Sequence, residues 1–306
     1  QVFLQAHDRA PRSMVIDLDT TDLALHGHQE GRFFHGYYDQ YCYLPLYVFS
    51  GEHLLGVRLR TADQDAAAGA DVEMARIVGQ IRRAWPKTQI IVRGDSGFCR
   101  EALMRWCEAQ GVDYVFGLAR NERLHGLIVK PMRKAKVAAV RTGQAARQFS
   151  EFRYRTRHSW SRARRVVAKS EVLPGKDNPR FVVTSLSRQD YPAQALYEKL
   201  YCARGEMENC IKEQMSLFAQ RTSTATMRAN QLRMYLSGFA YTLFVALRRL
   251  ALTGTQWARA QVNTIRLKLL RIGALVTLSV RRIVVALSSS HPYQDLFALA
   301  HQKLLL

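Results

Sequence analysis

The sequence predicts a mixed α/β fold, and three observations carry that expectation. Short β-branched and aromatic runs alternate with amphipathic stretches through the first 120 residues, in the order strand, strand, strand, helix, strand, helix, strand. The middle third holds further strand-like segments. From Tyr191 onward helical patterns return. With 306 residues, 48% of them apolar, the chain can bury a sizeable core in one large domain or two smaller ones.

Residues 14–19 form the first apolar run, and residues 41–50, rich in Tyr, Val and Phe, form the second. Gly51 and Glu52 turn the chain into residues 53–60, completing a hairpin. Residues 66–85 read as a helix, with Val72, Ala75, Ile77, Val78 and Ile81 near helical spacing, and Pro86 stops it. Residues 88–92 are the next strand, ending at Arg93-Gly94-Asp95. Ser96 is placed to cap a helix running to Gln110, and residues 114–118 follow as a strand. Residues 149–156, 164–170 and 180–185 read as strands, interrupted by a very basic run from Arg153 to Arg165. Helices are expected at 193–203, 206–220 and 229–252. Residues 274–287 carry strand-like alternation, and 293–306 read as a helix after Pro292.

Charge narrows the function. Lys and Arg number 45 against 25 Asp and Glu, a net +20 that points to a polyanionic partner, most simply nucleic acid. Membrane insertion is disfavoured, because the most apolar stretch, residues 234–247, is shorter than the roughly 18 residues a span requires. No secretory signal pattern shows near the start, where Arg9 and Arg12 interrupt the apolar residues. The five cysteines contain no Cys-x-x-Cys, which fits reduced cytoplasmic thiols and speaks against zinc.

Three acidic positions stand where chemistry needs them. Asp19 closes the first strand; Asp17 shares its face, so spacing alone does not choose between them. Asp95 follows Gly94, where backbone can approach a substrate closely. Read as a helix, Tyr201, Arg204, Glu208 and Lys212 fall at i, i+3, i+7 and i+11, lining one stripe with a phenol, an acid and two bases. A stripe facing a core should be apolar, so this one needs another reason. Two strand-end aspartates and a helical glutamate can hold a pair of divalent cations, the apparatus for breaking and joining phosphodiesters. Tyr201, Arg204 and Lys212 are then placed to hold phosphates, although Arg204 at i, i+4 from Glu208 also has the spacing of a plain helix ion pair. Trp160, set among Arg155, His158, Arg162, Arg164 and Arg165, either stacks on DNA bases or packs beneath the strands around it. Lys130, Arg133, Lys134 and Lys136 read as a basic loop, contacting phosphate or merely solvated.

The segment Tyr201-Cys-Ala-Arg204-Gly-Glu-Met-Glu208, with Asp19-Thr-Thr and Asp95 before it and the run Gln29-Glu-Gly-Arg-Phe-Phe-His-Gly-Tyr-Tyr, resembles the DDE transposases of bacterial insertion sequences. The likeness is to those with a Tyr-x-x-Arg-x-x-x-Glu signature, specifically the insertion sequence 1380 family. It implies an RNase H-like catalytic core, a mixed sheet flanked by helices, with a β-rich insertion before the last catalytic acid and a mainly helical C-terminal region. On that pattern residues 1–120 and 191–252 are the two parts of the core, 121–190 the insertion and 253–306 the C-terminal region. Because the family usually carries more sequence before its first Asp, an N-terminal DNA-recognition domain is expected to be missing from a chain that begins at Gln1.

The resemblance further implies that Asp19, Asp95 and Glu208 are catalytic and bind two Mg²⁺ ions, with Mn²⁺ as a substitute. Tyr201, Arg204, Lys212 and Trp160 become DNA contacts. The family places a Lys seven residues after the Glu, where this chain has Met215, so Lys212 stands in for it. The implied reaction is cleavage of double-stranded DNA at terminal inverted repeats, followed by attack of the freed 3′-hydroxyl on target DNA. A homodimer in a synaptic complex, at the bacterial nucleoid in the cytoplasm and without a membrane, completes the expectation. The alternative is a truncated, inactive DNA-binding remnant.

Overall fold

A strand covered on both faces needs apolar residues at every position rather than every second one, and the central strands of this chain have that composition. A computed structural model describes residues 1–305. The chain divides into two compact units, Gln1–Asn209 and Cys210–Leu306. The first is built on a nine-stranded mixed sheet flanked by helices. Its strands are β1 (Ser13–Thr20), β2 (Leu46–Ser50), β3 (His53–Arg58), β4 (Gln89–Gly94), β5 (Asp113–Leu118), β6 (Ala146–Tyr154), β7 (Arg164–Leu173), β8 (Lys176–Asp177) and β9 (Arg180–Thr184). Their spatial order is β3-β2-β1-β4-β5-β9-β7-β8, with β6 also paired to β7. Strands β1, β4 and β5 run parallel, while β2 and β9 lie antiparallel to the neighbours they share with that group.

The two-residue period sorts the core. Ile90 and Val92 of β4, Tyr114 and Phe116 of β5, and Val166 and Ala168 of β7 pack on one face; Ile91, Val115 and Val167 pack on the other. Each such side chain, fully buried, contributes roughly 1.5–3 kcal/mol. Helices Ala70–Ala84 and Glu101–Ala109 cover the first face, and Leu196 and Tyr197 pack on the second. The stripe of helix Ala70–Ala84 is Ala70, Met74, Ile77, Val78 and Ile81. Val72 and Ala75, expected on it, face solvent instead, because they fall off the 3.6-residue repeat set by the other three.

Three other expectations are corrected. The run 41–50 is two strands, Gln40–Tyr43 and β2, broken at Pro45, which has no amide to give a ladder. The first of these joins Leu23–Ala24 and Phe33–His35 in a small three-stranded sheet between β1 and β2. Residues 130–136 are not a loop: they lie in helix Val129–Thr142, preceded by helix Glu122–Leu127. Pro131 occupies the first turn of that helix, where its missing amide costs no helical bond, and Gly143 at φ 67° ends it. Ser96 does not cap the helix to Gln110; Asp95 caps a short 3₁₀ turn, Ser96–Phe98, and the α-helix begins at Glu101.

The second unit contains helix Met227–Leu250, a hairpin of Ala274–Leu278 with Ile283–Leu287, and helix Gln294–Leu304. Arg281 and Arg282 sit in the hairpin turn, and every strand residue of that hairpin is exposed. Among the described residues no helix is long and apolar enough to cross a membrane.

Candidate active site

Parallel pairing of β1 with β4 sets Asp17 opposite Arg93 and Leu18 opposite Gly94. Asp19 and Asp95 therefore leave the sheet together at the carboxyl ends of adjacent strands, where open α/β sheets bind ligands. Asp17, only 3% exposed, is gripped by Arg93, whose Nε donates to Oδ1 and whose Nη2 donates to Oδ2 at 2.8 Å. Arg93 Nη1 donates to the carbonyl of Leu200. Asp17 thus belongs to a buried ion pair that ties β1 and β4 to the segment carrying Tyr201. Burial pushes its carboxyl up while Arg93 pulls it back.

That segment is not the regular helical stripe expected over Tyr201 to Lys212, nor the two plain helices expected at 193–203 and 206–220. It runs as Ala193–Ala195, a π turn Leu196–Tyr201, a 3₁₀ turn Cys202–Arg204 and then α-helix Gly205–Gln214. Pitch changes of this kind recur at functional sites. Arg204 and Glu208 keep their i, i+4 relation: Arg204 Nη2 donates to Glu208 Oε1 at 3.0 Å, and Nη1 donates to Asp19 Oδ2 at 3.1 Å. One guanidinium therefore bridges the strand-end aspartate and the helical glutamate. Burial, with the charges of Asp95 and Glu208, outweighs the pull of Arg204 and the Thr20 amide and leaves the Asp19 carboxyl raised to about 6. Asp95 and Glu208 thus both lie within electrostatic reach of Asp19.

Asp95 accepts from the Gly97 amide at 2.8 Å. Tyr201 is buried enough to push its phenol up, with Arg204 opposing and Asp95 adding to the shift. Its hydroxyl rests on Gly117 of β5: a Cβ there would lie 2.6 Å from Tyr201 Oη and 2.8 Å from the Ser96 amide nitrogen. Gly117 is a site residue that pattern reading missed; an isolated glycine inside an apolar strand is the available signal of a close approach. Arg93 was missed as well, since its role depends on a neighbouring strand rather than on local spacing. Glu208 is half exposed on its helix, and Lys212, also exposed, falls in the second unit.

Trp160 is not brought to this group as an open ring. It is 6% exposed in the core, edge-on to Tyr154 at 5.8 Å, with the Arg164 guanidinium 5.5 Å from its ring centre. The packing alternative accounts for it, because a ring so enclosed offers no free face to a base. Three of its basic neighbours are occupied too. Arg164 reaches Glu101 at 2.7 Å and Glu108 at 2.8 Å, Arg162 reaches Glu108 at 2.9 Å, and Arg165 reaches Glu151 at 2.6 Å. Burial alone would raise Glu108, yet hydrogen bonds from Arg164, Arg162 and Tyr114 overcome it and hold its carboxyl at about 2.

Three carboxylates are the donor type that a hard divalent cation takes. Among the described residues no group of three acidic, His or Cys side chains is already gathered tightly enough to hold a metal ion. In this conformation Arg204 supplies the positive charge between Asp19 and Glu208.

Strand-end aspartates and a helical glutamate on a mixed sheet define an acidic site bridged by one arginine. The chain belongs to the family described as transposase DDE domain group 1, whose model matches residues 1–306. Among solved structures it is similar to a piggyBac transposase, seen by cryo-electron microscopy in a synaptic complex with hairpin DNA, at 9% identity and a TM-score of 0.48. The match covers 84% of this chain and 51% of that one, so the chain spans about half the length of this neighbour. No curated protein matches it.

Proposed function

We propose that the chain is a DDE transposase of the Tyr-x-x-Arg-x-x-x-Glu type, related to the insertion sequence 1380 family. Its RNase H-like core would cleave DNA at element ends and join the freed 3′ ends to target DNA. One observation carries this reading: the Arg204 guanidinium bridges Asp19 to Glu208, while Asp95 leaves the strand paired beside that of Asp19. The strand order β3-β2-β1-β4-β5, antiparallel then parallel, supports the RNase H-like core, and the net charge of +20 supports DNA as partner.

Asp19, Asp95 and Glu208 would hold two Mg²⁺ ions, or Mn²⁺ in their place; Asp17 is already committed to Arg93. When bound, such ions would supply activation of an attacking oxygen and stabilisation of the leaving one. The chain's own groups do the rest. Arg204, released from the carboxylates it bridges, offers a two-pronged fork to a phosphate. The Tyr201 hydroxyl, seated on Gly117, orients the strand beside Asp95. Lys212 adds a positive charge one helical turn past Glu208. Two copies would hold two element ends.

A second reading, a DNA-binding remnant that does not cleave, is favoured by one observation: Arg204 ion-pairs with two of the three acids. Mn²⁺-dependent nicking of supercoiled plasmid separates the two. The chain should nick, and Glu208→Gln should lose more than the roughly 10–100-fold typical of groups one shell outside a metal. Equal nicking by both proteins would sink the site assignment. Absence of nicking by either, with DNA binding intact, would select the remnant.

A further inference from the structure

The small sheet between β1 and β2 presents an aromatic face that the carboxylate chemistry leaves unused. Phe34 stands opposite Tyr41 in the strand register, and their rings meet edge to face at 5.5 Å. Arg32, two residues before Phe34, lies on the same face, its guanidinium 4.4 Å from the Tyr41 ring centre and its Nη1 donating to the Gly27 carbonyl at 3.0 Å. Tyr37 projects from the hairpin tip at 86% exposure, edge-on to Tyr38. Asp39, at φ 51°, closes that turn in the left-handed conformation that Asp tolerates better than most residues. The opposite face is packed around Cys42, which is buried with Leu44 and Ala62 and touched by Tyr38, while Phe33 at its edge stays half exposed.

The sheet is joined to the acidic group by the chain that leaves Asp19. It starts three residues after Thr20, the last residue of β1, and Asp22 accepts a hydrogen bond from Gln40 at 2.5 Å. Burial pushes the Tyr38 phenol up to about 12, with the charges of Asp22, Tyr37 and Asp19 adding to it. Tyr38 packs against Cys42, Leu44 and Ala62 while its neighbour Tyr37 faces solvent.

We propose that Phe34, Tyr37 and Tyr41, with Arg32, form a stacking platform for unpaired bases of the DNA strand whose phosphate reaches Asp19. The inference rests on the transposase reading and extends it to a specific nucleic-acid contact. The composition selects the occupant. Exposed large side chains on this sheet are Phe and Tyr beside an arginine, with no aliphatic among them, whereas those of hairpin Ala274–Leu287 are Leu, Val and Ile. Flat rings and a guanidinium match the faces of bases, and each base–aromatic stack is worth a five- to hundredfold change in affinity by alanine substitution, in order of magnitude. The platform also takes the role that Trp160, enclosed in the core, leaves open.

The test measures fluorescence anisotropy of labelled oligothymidylate, and of an abasic strand of the same length, in EDTA so that no cleavage enters. Tyr37→Ala should weaken oligothymidylate binding by roughly tenfold, leave the abasic strand unaffected, and be rescued by Tyr37→Phe. Equal loss on both strands, or no loss on either, would overturn the platform. So would unchanged DNA affinity accompanied by an altered oligomeric state in sedimentation, which would assign the rings to a protein partner. Because the readout needs no catalysis, it stands apart from plasmid nicking: nicking with no stacking removes the platform alone, and stacking with no nicking removes the enzyme alone.

Discussion

Two acid-and-arginine clusters of the first unit settle their charges in opposite ways. Around Arg164 every carboxylate has a cation in contact: Glu101 has Arg164, and Glu108 has both Arg164 and Arg162. Around Arg204 three carboxylates depend on one guanidinium, which touches only Asp19 and Glu208. In the first, hydrogen bonds from Arg164, Arg162 and Tyr114 outweigh burial and hold Glu108 at about 2; in the second, burial, helped by the charges of Asp95 and Glu208, outweighs Arg204 and leaves Asp19 at about 6. Matched charge fastens a fold together. Excess charge of one sign in a half-buried place is a cost that a positively charged ligand removes, which is why such groups mark sites rather than scaffolds.

The sharpest way to break this contrast is to remove one member from each cluster. Arg164→Met should cost about 3–5 kcal/mol in urea unfolding, because it leaves buried carboxylates short of their partner. Asp19→Asn removes a poorly matched charge and should leave stability unchanged or raise it, while abolishing nicking. Equal destabilisation by the two would erase the distinction.

A smaller effect is expected at Gly117. Gly117→Ala drives a methyl against Tyr201 Oη and the Ser96 amide and should cost about 1–3 kcal/mol. Adding Tyr201→Phe removes the closer clash and should recover part of the loss. Complete recovery, or none, would mean that the hydroxyl seated on Gly117 is not what constrains this spot.

The mildest effect is in pH. A Glu108 carboxyl at about 2 in the fold and near 4.5 when unfolded binds its proton more readily in the unfolded chain. Its contribution is therefore complete well above pH 4.5 and drains away as pH falls toward 2. The melting temperature of Glu108→Gln should accordingly be flatter than that of the parent between those limits. Parallel curves would show that Glu108 is not the group responsible.

Local pattern made some of this legible. The strands around Asp19 and Asp95 stand out as apolar runs ending in an acid, and Arg204 with Glu208 stands out as a polar stripe. What pattern could not supply were relations across the sheet. Arg93 looks like a solvated strand end until register sets it opposite Asp17, and Gly117 looks like a weakness in β5 until Tyr201 arrives from far along the chain. Helix Val129–Thr142 was hidden by Pro131 and its lysines, because a proline is read as a stop although the first turn accepts it. Trp160 misled in the other direction: basic neighbours suggested DNA, but arginines that find carboxylates on adjacent elements are no longer available to phosphate.

The hydrogen bond from Arg204 to Asp19 spans 185 residues of sequence, and that distance has a consequence in time. Chains grow at roughly 5–20 residues per second and their early segments fold first. Asp19 and Asp95 have thus been synthesised roughly 5–20 s before Glu208. During that interval the nascent chain carries two of the three acids and lacks the arginine between them. A protein that cuts DNA on the set proposed here would be unarmed for most of its own synthesis, its cutting edge fitted only near the end.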